Sequence, residues 1–365
     1  MVDIAGAERI VVKVGSSSLT HADGSFNLDR VQVLADELAK IQRTGTRVVL
    51  VTSGAIAAAL APLGLTKRPH DLETQQAAAA VGQGLLIRHY TEAFARHDML
   101  VAQVLLTVED VLRPTTYRNA LDTISRLFRL GVVPIINEND TVATNEIRFG
   151  DNDRLAALVA HLVRASALFI FSDVEGLYTA HPDEPGSELI EVVPDVTKLA
   201  VDTSRVGSKI GTGGMATKLE AARIATQAGV TVVLAHADRI GEALAGGQVG
   251  TEFRPVGKRR PRRLLWLAHA AQPSGSLHVD EGAVTALRGR KASLLAAGIR
   301  RVDGDFDSGE PVNIVGPDGA VLARGFSAYR SGIVRSQLGK TTDELLLSDP
   351  DHSRPVVHRD LLILV

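Results

Sequence analysis

Cysteine is absent from this 365-residue chain, which excludes a disulfide framework, a thiolate metal site and a cysteine nucleophile. Excess charge of either sign is lacking too. A net charge of -2 gives no whole-molecule reason for a polyanionic partner, so any nucleic-acid contact has to come from a local patch. Long hydrophobic runs are also missing: the longest apolar stretch, Gly54 to Leu65, is short and interrupted by Pro62. The amino terminus, MVDIAGAERIVVKVG, has acids where a signal peptide carries basic residues. A cytoplasmic protein with no membrane span is therefore expected. Lysine is scarce, nine residues against 31 arginines, so the two that stand in glycine-rich settings, Lys13 and Lys218, are candidates for chemistry.

What is present fits a globular chain of about two domains, since 45% hydrophobic residues suffice for a sizeable core. Six short β-branched runs read as buried strands: RIVVKV from Arg9, RVVLV from Arg47, VAQVLL from Val101, VVPIIN from Val132, ALFIF from Ala167 and VTVVLA from Val230. Between them lie longer segments with apolar spacing of three and four, which predict helices. Repeated strand-helix-strand units imply an α/β fold with a mostly parallel central sheet covered on both faces, a three-layer sandwich. Ligands of such sheets gather outside the carboxyl ends of the strands.

Near residue 255 the pattern changes. Lys258, Arg259, Arg260, Arg262 and Arg263 surround Pro261, and beyond them short segments such as GSLHVD, PVNIVG, AVLARGFSAY and RPVVHR alternate with turns such as VDGDFDSGE. The expected division is a first domain over 1–257, a linker over 258–275, a small mostly β domain over 276–354 and a tail over 355–365.

Four segments after strands carry unusual polar groups. KVGSSSL places Lys13 at a strand end before glycine and serines, a turn whose donors suit an oxyanion. TSGAI sets Ser53 and Gly54 at the start of a helix. In INENDTVATNEIRFGDNDRLAALVA, Asn137, Glu138, Asn139 and Asp140 leave one strand, and Asp151, Asn152 and Asp153 open the next helix. Two such clusters suggest a ligand with several polar groups, because amides and carboxylates together can grip an amino group and a carboxylate. A calcium loop is the competing reading, but the spacing lacks the glycine and terminal glutamate of an EF-hand. Fourth, FSDVEGLYT offers Ser172 and Asp173, and GTGGMATKLEAARIA follows downstream.

That last stretch is neither a Walker loop, since Lys218 follows threonine and precedes leucine, nor a dinucleotide fingerprint, since no strand runs directly into it. Its backbone over Thr212, Gly213, Gly214, Met215 and Ala216 can still cradle phosphate oxygens, with Thr217 and Lys218 one helical turn in.

Taken together, VVKVGSSSLT, RVVLVTSGAIAAAL, VVPIINENDTVAT, FGDNDRLAALVA, SDVEGLYT and GTGGMATKLEAA resemble the glutamate 5-kinases of the amino acid kinase family. The carboxyl-terminal VDEGAVTALRGRKASLLAAGIRRVDGDFDSGEPVNIV is similar to the PUA domain that many bacterial members append. The resemblance implies ATP-dependent phosphorylation of the L-glutamate side chain to L-glutamyl 5-phosphate, the first step of proline biosynthesis. It also implies magnesium carried by ATP, with no metal ligand assigned to the protein, feedback inhibition by proline, and a homo-oligomer, dimer or tetramer. Carried over by motif, Lys13 and the Thr212–Lys218 loop contact ATP phosphates, Ser172 and Asp173 lie along the nucleotide, and Ser53, Asn137, Asp140 and Asn152 bind glutamate. Asp153 holds the two lysines and counts with them as catalytic. Ser172 stands where the bacterial pattern has threonine; either hydroxyl can serve.

No histidine general base accompanies these loops, and a carboxylate acceptor needs none. Rival acceptors within the same fold are acetylglutamate, aspartate, carbamate and a nucleoside monophosphate; the amide and carboxylate cluster, with no aromatic or basic pocket beside it, argues against nucleotides. A rival from another class is an RNA-binding protein built on the PUA-like module and the basic linker. Near-neutral charge and the lack of stacking aromatics near the linker, Trp266 excepted, weigh against RNA binding as the main function.

Overall fold

The computed structural model describes residues 6–21, 25–112, 114–142, 152–199, 214–255, 267, 273–290 and 292–364. The chain divides into two compact units, Met1–Arg259 and Arg260–Val365.

The first unit is built on an eight-stranded sheet of order β3-β4-β2-β1-β5-β7-β8-β6. Its strands are β1 (Arg9–Val14), β2 (Arg47–Thr52), β3 (Val101–Leu106), β4 (Val133–Glu138), β5 (Ala167–Ser172), β6 (Val192–Val193), β7 (Thr231–His236) and β8 (Thr251–Phe253). All neighbours pair in parallel except β7 and β8, which are antiparallel. Six of these strands coincide with the predicted runs to within a residue at each end. The two unpredicted ones, β6 and β8, are too short to show a period.

Helices cover both faces. Ile10, Val12 and Val14 of β1 share a core cluster with Leu34 and Leu38 of α1 (Leu28–Arg43), with Leu86, Tyr90 and Phe94 of α3 (Leu72–Ala95), and with Ile240 and Leu244 of a short helix, Ile240–Leu244. Each such fully buried side chain contributes about 1.5–3 kcal/mol by leaving water. Strand side chains alternate between faces, so Val11 and Lys13 turn to the opposite side, where α6 (Asn152–Leu162) packs over β1 and against α7 (Met215–Gln227). Lysine at position 13 thus lies under two helices. Between β2 and α3, the six-residue α2 (Ala55–Leu60) follows Gly54, whose φ of 101° is a left-handed conformation that glycine adopts without strain.

In the second unit a five-stranded sheet has the order β10-β9-β11-β12-β13, with β9 (Gly275–Val279), β10 (Ile299–Gly304), β11 (Pro311–Val315), β12 (Val321–Phe326) and β13 (Leu362–Leu364). Two expectations fail here. The expected turn VDGDFDSGE starts inside a strand, since residues 302–304 end β10, and a register shift between Ile299 and Arg301 breaks the alternation that would mark it. RPVVHR is not a strand: Val357 makes only an isolated bridge to Leu294, and the pairing partner of β12 is β13, within the residues assigned to a tail. Most of the expected linker, with its basic residues, lies outside the described residues. Among the described residues no helix is long and apolar enough to cross a membrane.

Candidate active site

The polar residues of the first unit collect at the carboxyl ends of β1, β2, β4 and β5. Their focus is Asp153, the second residue of α6 and only 1% exposed. Its Oδ1 lies 2.5 Å from Lys13 Nζ and its Oδ2 lies 3.4 Å from Lys218 Nζ. Thr217 Oγ1 donates to the same Oδ2 at 3.1 Å. A carboxylate in the first turn also suits the positive end of the α6 dipole. Burial on its own would push this carboxyl up, but the two ammonium groups and the hydroxyl outweigh it and hold the pKa at about 2. Burial pushes the Lys218 ammonium down, as does neighbouring Lys13, while Asp153 and Asp173 act in the other direction.

Two ammonium groups thus share one buried carboxylate. Ammonium groups gathered in this way are favourable toward a bound anion.

Beside this cluster runs a chain of carboxamides. Asn152 Nδ2 donates to Ser53 Oγ at 2.9 Å and to Asn137 Oδ1 at 3.1 Å, and Asn137 Nδ2 donates to Gln83 Oε1 at 2.7 Å. Asn137, Glu138 and Asn152 are all buried. The two polar clusters of the sequence, one after β4 and one opening α6, therefore meet directly. Asp140 sits in the turn beyond β4; burial raises its carboxyl to about 6, with the Arg68 guanidinium pulling the other way. At the end of β5, Ser172 is buried and its hydroxyl donates to Asp173 Oδ1 at 2.9 Å.

The glycine-serine turn after β1 has fewer donors to offer than its sequence suggests. The amides of Gly15, Ser18 and Leu19 donate to Phe171 O, Gly15 O and Ser16 O. Asp151, Thr212 and Gly213 lie outside the described residues. Gly214 caps α7, whose first turn holds Met215, Ala216, Thr217 and Lys218.

Gln83 and Arg68 were not singled out in the sequence. Arg68 gives no signal there. Gln83 follows a glycine inside an alanine-rich helix, and an interior helical glycine, which costs about 1 kcal/mol relative to alanine, points to close packing at that spot.

Two buried lysines at the carboxyl edge of a mostly parallel α/β sheet make a site suited to an anionic group. The chain belongs to the amino acid kinase family, whose model matches residues 8–236, and a PUA domain model matches residues 275–345. Among its relatives are the glutamate 5-kinase of Cutibacterium acnes, 56% identical over 99% of this chain and 93% of that protein, and the glutamate 5-kinase of Salinispora arenicola, 54% identical over 99% of both. Of solved structures, carbamate kinase from Giardia lamblia bound to AMP-PNP aligns with a TM-score of 0.51 at 19% identity, covering 69% of this chain and all of that one; at that identity the likeness is one of fold.

Proposed function

We propose that the chain transfers the terminal phosphoryl group of ATP to the side-chain carboxylate of L-glutamate, giving L-glutamyl 5-phosphate and ADP. The observation that carries this reading is the sharing of Asp153 by Lys13 and Lys218 next to the Ser53–Asn152–Asn137 amide chain. The names of its full-length relatives point to the same acceptor.

The acceptor oxygen needs no base. A carboxylate with a reference pKa of about 4.3 is ionised at neutral pH and can attack phosphorus directly, while the bond to the ADP oxygen breaks. The obstacle is charge: two unit charges at about 4 Å repel by about 4 kcal/mol at an effective dielectric near 20. Lys13 and Lys218 offset that repulsion at the transferring group, where positioning and electrostatics carry phosphoryl transfer. Asp153 holds both ammonium groups in place. Ser172 and Asp173, with the backbone leading into α7, take the nucleotide. Ser53, Asn137, Asn152 and Asp140 take glutamate.

Magnesium in this reading arrives on ATP and supplies further charge neutralisation there. Among the described residues no group of three carboxylate or imidazole side chains gathers into a cation cage, and both Asp153 oxygens face lysines, a donor set that does not fit a metal. Proline biosynthesis in the cytoplasm, inhibition by proline and assembly into a homo-oligomer complete the proposal.

The test is ATP consumption measured in parallel with glutamate, acetylglutamate, aspartate, carbamate and a nucleoside monophosphate. Glutamate is expected to support turnover; turnover with another acceptor and none with glutamate overturns the reading. Asp140→Ala and Asn152→Ala are each expected to raise the glutamate KM about 10–100-fold with a smaller change in kcat, the loss of one or two polar contacts. Unchanged saturation in both would move the acceptor site elsewhere.

A pH profile probes Asp140 separately. Its carboxyl is raised from 3.8 to about 6, so an ammonium group bound by its ionised form should be released as pH falls through about 6. Glutamate kcat/KM is expected to drop about tenfold per pH unit below that point, and Asp140→Asn should remove this limb. Stability has the opposite sign: the folded chain holds this proton more tightly than the unfolded one, so the group favours folding at low pH and that contribution is lost as pH rises from about 4 to about 6.

A further inference from the structure

We propose that Gln83 is a positioning residue that holds Asn137, and through it Asn152, in place beside the acceptor. This inference rests on the proposed function and adds a residue that none of the phosphate- or acceptor-binding motifs contains.

The direction of the chain is set at Asn137. Its Oδ1 accepts from the backbone N–H of Glu138 at 2.9 Å, and a backbone N–H can only donate. The Nδ2 end of the same carboxamide must then turn the other way, where Gln83 Oε1 receives it at 2.7 Å. With both ends held, Asn137 cannot flip without setting donor against donor. Its Oδ1 therefore stays available to Asn152 Nδ2, whose second hydrogen goes to Ser53 Oγ.

Two consequences reach the acceptor. Ser53, receiving a hydrogen bond from Asn152, keeps its own hydroxyl proton to donate to a carboxylate. Asn152 Oδ1 is left as a buried acceptor with no partner among the described residues, suited to an ammonium group. A free amino acid carries both functions; an acid whose nitrogen is acylated lacks the second.

Gln83 can reach Asn137 because of the residue before it. A Cβ at Gly82 would stand 1.7 Å from the Ala55 carbonyl oxygen and 2.6 Å from its carbon, so α3 touches the backbone of α2 at the residue that follows Ser53 and Gly54. This contact brings α3 alongside the TSGAI turn, and Gln83 lies on the next residue.

The test is a double-mutant cycle on glutamate KM, using Gln83→Met, which keeps length and removes the acceptor oxygen, and Asn137→Ala. Gln83→Met alone is expected to raise glutamate KM about tenfold, with ATP KM within about twofold of the parent and acetylglutamate discriminated less sharply. In the Asn137→Ala background the same substitution should change glutamate KM by less than about twofold. Additive effects, or an unchanged KM in the single variant, would show that Gln83 acts only through packing and overturn the inference. Gln83→Ala, a good helix former, replaces Gln83→Met with the same expectation should the latter not fold. Absence of glutamate turnover in the unsubstituted protein would instead defeat the proposed function, so the two failures are distinguishable.

Discussion

Lys218→Ala should lower kcat by about 10³-fold while glutamate KM moves less than about threefold. The Lys218 ammonium lies in the first turn of α7, 3.4 Å from Asp153 and buried, where a charge acts with little solvent screening. Removing one preorganised partner of transition-state charge typically costs about 10²–10³-fold, and in phosphoryl transfer few other sources of catalysis compensate. Folding is expected to survive, because Asp153 keeps Lys13 at 2.5 Å and the Thr217 hydroxyl at 3.1 Å. Steady-state kinetics with a thermal unfolding curve would check both halves. Near-parental kcat in a folded Lys218→Ala protein would take this lysine out of the chemistry.

Asp153→Asn should damage both activity and stability. The substitution leaves two ammonium groups buried together without their shared anion, and breaking a buried ion pair from one side costs about 3–5 kcal/mol. An unfolding temperature lower by about 10 °C and a kcat reduced by at least about 10²-fold are expected. The pH dependence provides an internal control. In the parent the Asp153 carboxyl sits at about 2, below its ordinary 3.8, so its stabilisation is complete above about pH 4 and is lost as pH falls toward 2. The variant lacks that loss. It should instead gain stability as pH rises, since burial and the facing Lys13 already lower the Lys218 pKa and would then act unopposed by Asp153. A variant with parental stability and the parental acid limb would contradict this view of the cluster.

Most of the sheet of the first unit could be read from the chain because its inner strands are buried on both faces and so appear as apolar runs, from Arg9–Val14 to Thr231–His236. The short strands Val192–Val193 and Thr251–Phe253 escaped that reading. Two or three residues carry no period, and the antiparallel pairing of the second with β7 is decided by tertiary contact. In the second unit the half-exposed strand Ile299–Gly304 has its alternation broken by a bulge, while Leu362–Leu364 lay in what read as a tail.

The polar residues of the site were legible individually, since buried-looking lysine, asparagine and aspartate stand out at strand ends. Their convergence was legible only through the resemblance: nothing in local sequence says that Asn152 reaches both Ser53 and Asn137, or that one aspartate serves two lysines. Gln83 stayed hidden because its function depends on how closely two helices approach, a property that Gly82 hints at and only coordinates express.

The way Asp153 is held also sets the order in which its contacts can form during synthesis. Its two lysine partners flank it far apart in the chain, on the first strand and on α7. A nascent polypeptide still tethered to the ribosome before Lys218 emerges already carries Ser53, Asn137 and Asn152, yet cannot assemble the cationic pair. Asp153 thus has one of its two cations from the start of translation and gains the other only once α7 has been made.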